Sequence, residues 1–439
     1  MWRQRFRVDL AAQAALKGAV RIGRRKSPAP APLAVLAVLA VASALAGCNR
    51  STDWVMFRGE EGRGVTSNTL RPPLAVKWKL PLQFEGARVE SFNPPIVVGD
   101  TVHFGSDDGN FYALDLNTGY MQWIFKSRAP VNSVPFADAD SLYFGSNDGH
   151  VYAVDRTSGE ERWRFPTEYT VQSLILRYDD MVMFTSDRGD THFLTADGEE
   201  LHRIPNPVWS YHTFQVYDGV MYWAPGPPSR GASFGAFDIY ERQYLWVEST
   251  TPGYNWYSFP ALRDRTLFYS AGGSAGNQLR YAYYAVDRLT GQPLWTVEET
   301  SFFGDQGQLI YSPRSVFFDS HRLLDYMAPS LWRNVVIYTS GDAVVRAFNA
   351  RTGRSAWRHT FLYPTSSAPT VAGDRVYFGV RGDDAAGVPP RLVALSARNG
   401  KLAWEMDLEG AVLSGPVISG KHLIFGTDQN LFYVLEEVF

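Results

Sequence analysis

From about residue 75 onward, short runs of β-branched and aromatic residues alternate with clusters of Asp, Asn, Thr, Ser and Gly. Phe111 to Leu114 and Val151 to Val154 read as strands; each leads into an Asp-x-x-Thr/Ser-Gly turn, after which a second short run carries Trp. That is the pattern of a β-hairpin. Asp115 caps the turn through its carboxylate, Gly119 takes a positive φ at no steric cost, and Trp123 follows eight residues after the Asp. Shifted by 40 residues, the same device recurs as Asp155, Gly159 and Trp163. Self-similarity at a fixed period marks units that cannot bury an apolar face alone, so each indole is expected against the neighbouring repeat.

The Trp position runs through Trp78, Trp123, Trp163, His202, Trp246, Trp295, Trp357 and Trp404, eight units in all. The ends are complementary: the last unit, from Val412 to Phe439, stops before any Trp strand, and Ala75 to Leu80 is a Trp strand with nothing ahead of it. The strand around Trp78 therefore completes the last unit, which predicts an all-β, eight-bladed β-propeller of four-stranded antiparallel blades over residues 75–439. Pro95, Pro135, Pro260, Pro329, Pro369 and Pro416 share one register, as expected of an innermost strand with one unpaired side. Two residues ahead of that register lie Ser133, Ser173, Ser258, Ser367 and Ser414, which predicts a channel mouth lined by hydroxyls.

Composition changes the picture at the N-terminus. Eight basic residues and one acid fill Met1 to Lys26, an apolar small-residue run follows from Leu33 to Leu45, and Ala46-Gly47-Cys48 closes it. Residues 1–47 read as an export signal peptide, too short for a comfortable membrane span. Without it, 34 basic residues face 44 acidic ones, and so acidic a surface repels phosphate backbones, which argues against nucleic acid as a partner. Residues 48–74 form a short tether and a packed latch. Cys48 is the only cysteine, so no disulfide or thiolate metal site is expected once it is modified. The eight histidines never occur as His-x-His or at helical i, i+4 spacing. Asp107 to Asn110 and Asn147 to Gly149 lack EF-hand spacing and read as hairpin turns, so no metal site is expected.

The Ala-Leu-Asp-x-x-Thr-Gly-x-x-x-Trp repeat resembles the pyrroloquinoline-quinone-like propeller family over residues 54–439, and Trp54 to Gly59 looks like a Trp-x-x-Phe-Arg-Gly segment that leads into such propellers. Leu45 to Cys48 resembles a bacterial lipobox, which implies acylation of Cys48, and Asn49 implies sorting to the outer membrane, facing the periplasm. Two branches of the family bear on function. Quinoprotein dehydrogenases hold their quinone with Ca²⁺ beside an adjacent-cysteine disulfide; this chain has one cysteine, and neither quinone nor Ca²⁺ is expected. The outer-membrane assembly lipoproteins of the BamB type match in lipobox, length, blade count and acidity, and imply a non-catalytic scaffold that docks a protein partner, such as a β-barrel assembly complex. The alternatives are a small-molecule or polysaccharide-binding propeller, or a quinone-dependent enzyme.

In a four-stranded blade, the connections from second to third strand and from blade to blade emerge on one face. All the length variation falls there, at Gly226 to Phe234, Gly272 to Arg280, Asp383 to Pro390 and Ser301 to Tyr326. That face is also aromatic. Trp209, Tyr211 and His212 enter blade four, Tyr254, Trp256 and Tyr257 enter blade five, and Phe302 and Phe303 open the long insertion, so these eight are the candidate partner-binding residues.

Overall fold

A computed structural model describes residues 52–82, 94–187, 190–204, 213–224, 233–249, 254, 256–275, 278–302 and 328–438. Residues 1–47, read from the sequence as a signal peptide, and Cys48 lie outside them. Eight antiparallel sheets follow one another as the blades of a propeller. Blade one is Ile96–Val98, Thr101–Gly105, Asn110–Asp115 and Met121–Lys126, from channel to rim. Blade eight takes three strands from the C-terminus, Val417–Ser419, His422–Gly426 and Leu431–Glu437, and its outer strand, Leu74–Pro81, from the N-terminus. The ring closes as the complementary ends predict, and the joint leaves no open sheet edge within that blade's interior.

The Asp, Gly and Trp of the repeat form one joint between blades. Asp115 Oδ1 accepts hydrogen bonds from the N–H groups of Asn117 and Thr118, which holds the turn, and Gly119 sits at φ +75°. The Nε1–H groups of Trp78, Trp123, Trp163, Trp246, Trp295 and Trp357 donate to the carbonyls of Leu116, Arg156, Ala196, Arg288, Ala350 and Ala397, each just after the turn residue of the next blade. The indole then covers the turn glycine, and a methyl group on Gly159 would lie 2.5 Å from Trp123. The residue ahead of each Trp position is the extra residue of a β-bulge, which turns the indole out of its own sheet toward that neighbour. Trp404 has no such turn to meet, because the third and fourth strands of blade eight, Leu431–Glu437 and Leu74–Pro81, are far apart in sequence and no hairpin turn joins them.

The innermost strands begin one residue after the register prolines, at Ile96, Phe136, Ala261, Ser330, Thr370 and Val417. Proline thus precedes the edge strand, where its missing N–H deprives no ladder bond. The serine register is a correction. Ser133, Ser173, Ser258 and Ser367 are buried, and their Oγ atoms accept the N–H groups of Gly145, Thr185, Ser270 and Gly379 on the second strand, so they do not face the channel. Side chains alternate along extended chain, and the channel wall is made by the residues one position later: Val134, Leu174, Phe259, Ala328 and Ala368. These are apolar, and Phe57 is packed among them, edge-on to Phe259 at 4.9 Å between ring centroids.

Phe57 belongs to a latch that crosses the channel and touches blade after blade. Trp54 pairs with Val97 of blade one, and the Val55 carbonyl accepts the N–H of Ala137 of blade two. The Glu61 carbonyl accepts the amide of Gln215 of blade four, while Arg58 donates to the carbonyl of Pro329 and to Ser330 Oγ of blade six at 2.9 and 3.0 Å. Val65 and Thr66 then add a parallel strand to Thr370–Ala372 of blade seven. Within this segment Phe57 is the side chain that packs into the apolar channel.

Candidate functional site

The face carrying the second-to-third and blade-to-blade connections is built up most on blade five. Its strands Thr266–Ala275, Gln278–Asp287 and Pro293–Phe302 each run ten residues, against five or six in blade one. What the sequence suggested as a loop from Gly272 to Arg280 is instead a continuous hairpin, paired from Thr266 with Asp287 through Ala275 with Gln278. Its run of Gly272, Gly273, Ser274 and Ala275 looks like loop composition, but pairing with Gln278 to Tyr281, and of Gly272 with Trp256 on the other side, supplies the order that local propensity does not. Trp256 and Tyr257 pair with Gly272 and Ala271 along this extension, and Phe302 pairs with Gln278 on its far side. The backbone therefore brings Trp256, Tyr257 and Phe302 onto one raised sheet. Tyr254 is half-buried and packs on the cluster of Tyr222, Trp246 and Tyr269, and burial raises its hydroxyl pKa. Trp209, Tyr211, His212 and Phe303, with the connection 225–232 and most of the insertion after 302, lie outside the described residues. The connection from Asp383 is a capped 3-10 turn, Asp384–Ala386, with Asp383 Oδ1 accepting the N–H groups of Ala385 and Ala386.

An ion cluster that sequence reading missed holds the raised sheet upright. Arg346 of blade six, 2% exposed, donates through both terminal nitrogens to the Asp342 carboxylate at 3.0 and 2.8 Å and through Nε to Glu299 at 2.6 Å. Its guanidinium lies over the rings of Tyr281 and Tyr283 at 5.2 and 5.7 Å. Burial alone would raise the Glu299 carboxyl, but Arg346 and Arg358 outweigh it and hold its pKa below the ordinary value. Glu299 and Arg346 are 47 residues apart, so no spacing rule joins them. With all three nitrogens of the guanidinium engaged within the protein, the cluster serves to fix geometry.

A polar cavity of about 560 Å³ opens on the same face between blades two and three, lined by Asn147, Asp148, Thr167, Tyr169, Thr170 and Asp187 among others. Burial pushes the Asp187 carboxyl up to about 6, and Gln172 lies 3.4 Å from it. Asn147 Oδ1 is buried without a hydrogen-bond partner in the protein. Asp187 repeats the turn position of Asp107 and Asn147, so its place was legible from the repeat, whereas its burial was not. Asp108 and Asp148 are occupied as hairpin turns predict: each takes the N–H two residues on and the hydroxyl of Tyr112 or Tyr152. Among the described residues no three His, Cys, Asp or Glu side chains converge as a metal site would require.

No curated protein sequence matches the chain. Solved structures share its architecture at low identity. BamB from Moraxella catarrhalis superposes with a TM-score of 0.59 at 15% identity, over 83% of this chain and 98% of that one. The quinohemoprotein alcohol dehydrogenase of Comamonas testosteroni gives 0.65 at 15% identity, over 90% and 82%, and a europium-containing methanol dehydrogenase gives 0.63 at 13%, over 88% and 98%. At such identities these likenesses speak to the fold alone. The sequence profile of one family, described as outer membrane protein assembly factor BamB, matches over residues 126–295, 281–387 and 341–438. Those spans take in every blade-to-blade Trp joint from Trp163 to Trp357, and the chain accordingly belongs to that family of pyrroloquinoline-quinone-like β-propellers.

Proposed function

We propose that the protein is a non-catalytic lipoprotein of the bacterial envelope, acylated at Cys48 and held at the outer membrane facing the periplasm, whose connection-bearing face docks a protein partner in β-barrel assembly. The observation that carries this reading is the raised three-stranded sheet of blade five, pinned by Arg346 and bearing Trp256, Tyr257 and Phe302, on a chain of the assembly-factor family. A backbone already ordered by sheet pairing loses little conformational entropy on binding, which suits a docking platform. Membership of that family supports a partner in outer-membrane assembly.

The test is in-cell crosslinking with a photoreactive residue at Tyr257 or Arg280 and, as control, at Thr157 on the opposite face. Adducts with a β-barrel assembly protein from the first two positions alone are the expected result. Equal adducts from Thr157, or none from any position in a folded protein, would defeat the reading. The cavity beside Asp187 favours a second one, a propeller that binds a small polar molecule or a saccharide, and retention on glycan arrays or stoichiometric uptake of quinone with Ca²⁺ would move the conclusion there.

A further inference from the structure

The opposite face, made of the first-to-second and third-to-fourth strand turns, is electrically divided. On blades six to eight its turns expose Arg333, Arg351, Arg354, Arg398, Lys401 and Lys421. Of the carboxylates beside them, Asp374 is ion-paired with Arg375 and Glu436 with Lys77, while Glu437 accepts the N–H of Arg71 and keeps its charge. On blades one to four the same turns expose Asp100, Asp140, Glu160, Asp179, Asp180, Asp197, Glu199 and Glu241 against a single exposed basic residue, Arg242. The basic turns are neighbours in space as well as in sequence. The Trp332 indole donates to the Gly373 carbonyl, the Trp357 indole to that of Ala397, and the His359 ring meets the carbonyl of Gly400, so blade six is tied to the turns of blade seven that carry Arg398 and Lys401.

The described chain also starts on this face. Thr52 lies against Gly420 in the first turn of blade eight, and Asp53 Oδ1 accepts the N–H of Gly99 in the first turn of blade one. Cys48 precedes Thr52 by four residues, a reach of at most about 14 Å even when fully extended.

We propose that the basic turns of blades six to eight rest on anionic phospholipid headgroups, tilting the propeller so that its acidic half lifts away and the connection-bearing face is turned from the bilayer. The acyl anchor supplies the affinity and the charge asymmetry supplies the orientation, since each basic group near an anionic surface gains free energy and each acidic one loses it. The inference rests on the lipoprotein reading for its biological setting, and its test does not: natural acylation is read separately, from the mass of Cys48 peptides in membrane extracts.

For the test, the full chain is coupled through Cys48 to a maleimide phospholipid in vesicles, with a photoreactive residue at Thr352 on the basic side or Thr157 on the acidic side, and phospholipid adducts are counted. On vesicles rich in phosphatidylglycerol, Thr352 is expected to give about fivefold more lipid adduct than Thr157, falling to parity on phosphatidylcholine or at high salt. The combination Arg351→Glu, Arg354→Glu, Arg398→Glu and Lys401→Glu should abolish the difference, and the four matching changes to Gln should reduce it. These side chains are exposed, and circular dichroism checks that both variants fold. Equal adducts at the two positions, a difference indifferent to lipid charge, or Thr352 adducts with a second protein copy in place of lipid would overturn the proposal.

Discussion

His202 shows what one residue's identity demands of its neighbours. Six other blades put Trp at this position and Ala opposite it across the strand pair, as in Trp163 against Ala153. Blade three has His202 opposite Phe193, stacked at 4.1 Å between centroids and 12° between planes. The next blade has Arg242 at the glycine position, at φ +54°. The three replacements are one event in physical terms: the smaller ring lets a larger one in across the strand, and with no indole reaching out, the next turn has no need of a missing Cβ. His202 is thus packing, with both ring nitrogens lacking a protein partner. His103 is a buried imidazole, stacked on Trp123, and burial, helped by Arg156, lowers its pKa to about 3. The unfolded chain takes up this proton near pH 6.5 and the folded one does not, so the stability associated with neutral His103 is present above about 6.5 and is lost as pH falls toward 3. His103→Phe, the aromatic type found at the matching Tyr143 and Tyr377, should flatten the acid limb of stability against pH by a few kcal/mol, on the order of the linkage for such a shift. Urea unfolding between pH 4 and 8 reads this directly, and an unchanged slope would refute it.

At the scale of the element, the hairpin turn and the indole of the preceding blade act as a unit. Trp123→Ala removes a large part-buried ring and its hydrogen bond, for which about 3–5 kcal/mol is the usual loss. Gly159→Ala puts a methyl group where Trp123 already lies, on a backbone that glycine alone adopts without strain, and should destabilise by roughly 1–3 kcal/mol. The two are expected to be far from additive: in the double variant the methyl group occupies part of the space the indole left, so a double-mutant cycle should return a coupling of about 1 kcal/mol or more. Simple additivity would mean that the indole does not bear on the turn. The raised hairpin of blade five is an element of another kind, because its order depends on Glu299 and Arg346, which belong to different blades.

For the molecule as a whole, the latch is the piece whose removal all blades would register. Phe57 is 3% exposed among Val134, Leu174, Phe214, Phe259, Ala328 and Ala368, contributed by blades two to seven. A cavity at that point has no single neighbour able to collapse into it, since each wall is the edge of a separate sheet. Phe57→Ala should therefore fall near the top of the about 3–5 kcal/mol range for Phe truncation, lowering the urea midpoint while leaving far-UV circular dichroism unchanged. A loss under about 1 kcal/mol would show that the channel is not packed around this ring.

Blade count, strand order, ring closure and the Trp joint were legible in the sequence, because each is written in a short local pattern that repeats: Asp115, Gly119 and Trp123 lie within nine residues of one another and recur with little drift. A repeat also says which surface lies next to which, so even the destination of the indole follows from the linear chain. What lay beyond local pattern needed the tertiary structure. Whether Ser133 or Val134 faces the channel is a question of one-residue register, and only the pairing of the inner strand with the second settles which way the side chains alternate. That Phe57 fills the channel, that Glu299 meets Arg346, and that one half of the turn face is basic and the other acidic are relations among residues tens to hundreds of positions apart. They are set by closing the ring, which brings eight separate stretches of sequence to a common axis and lays their turns side by side.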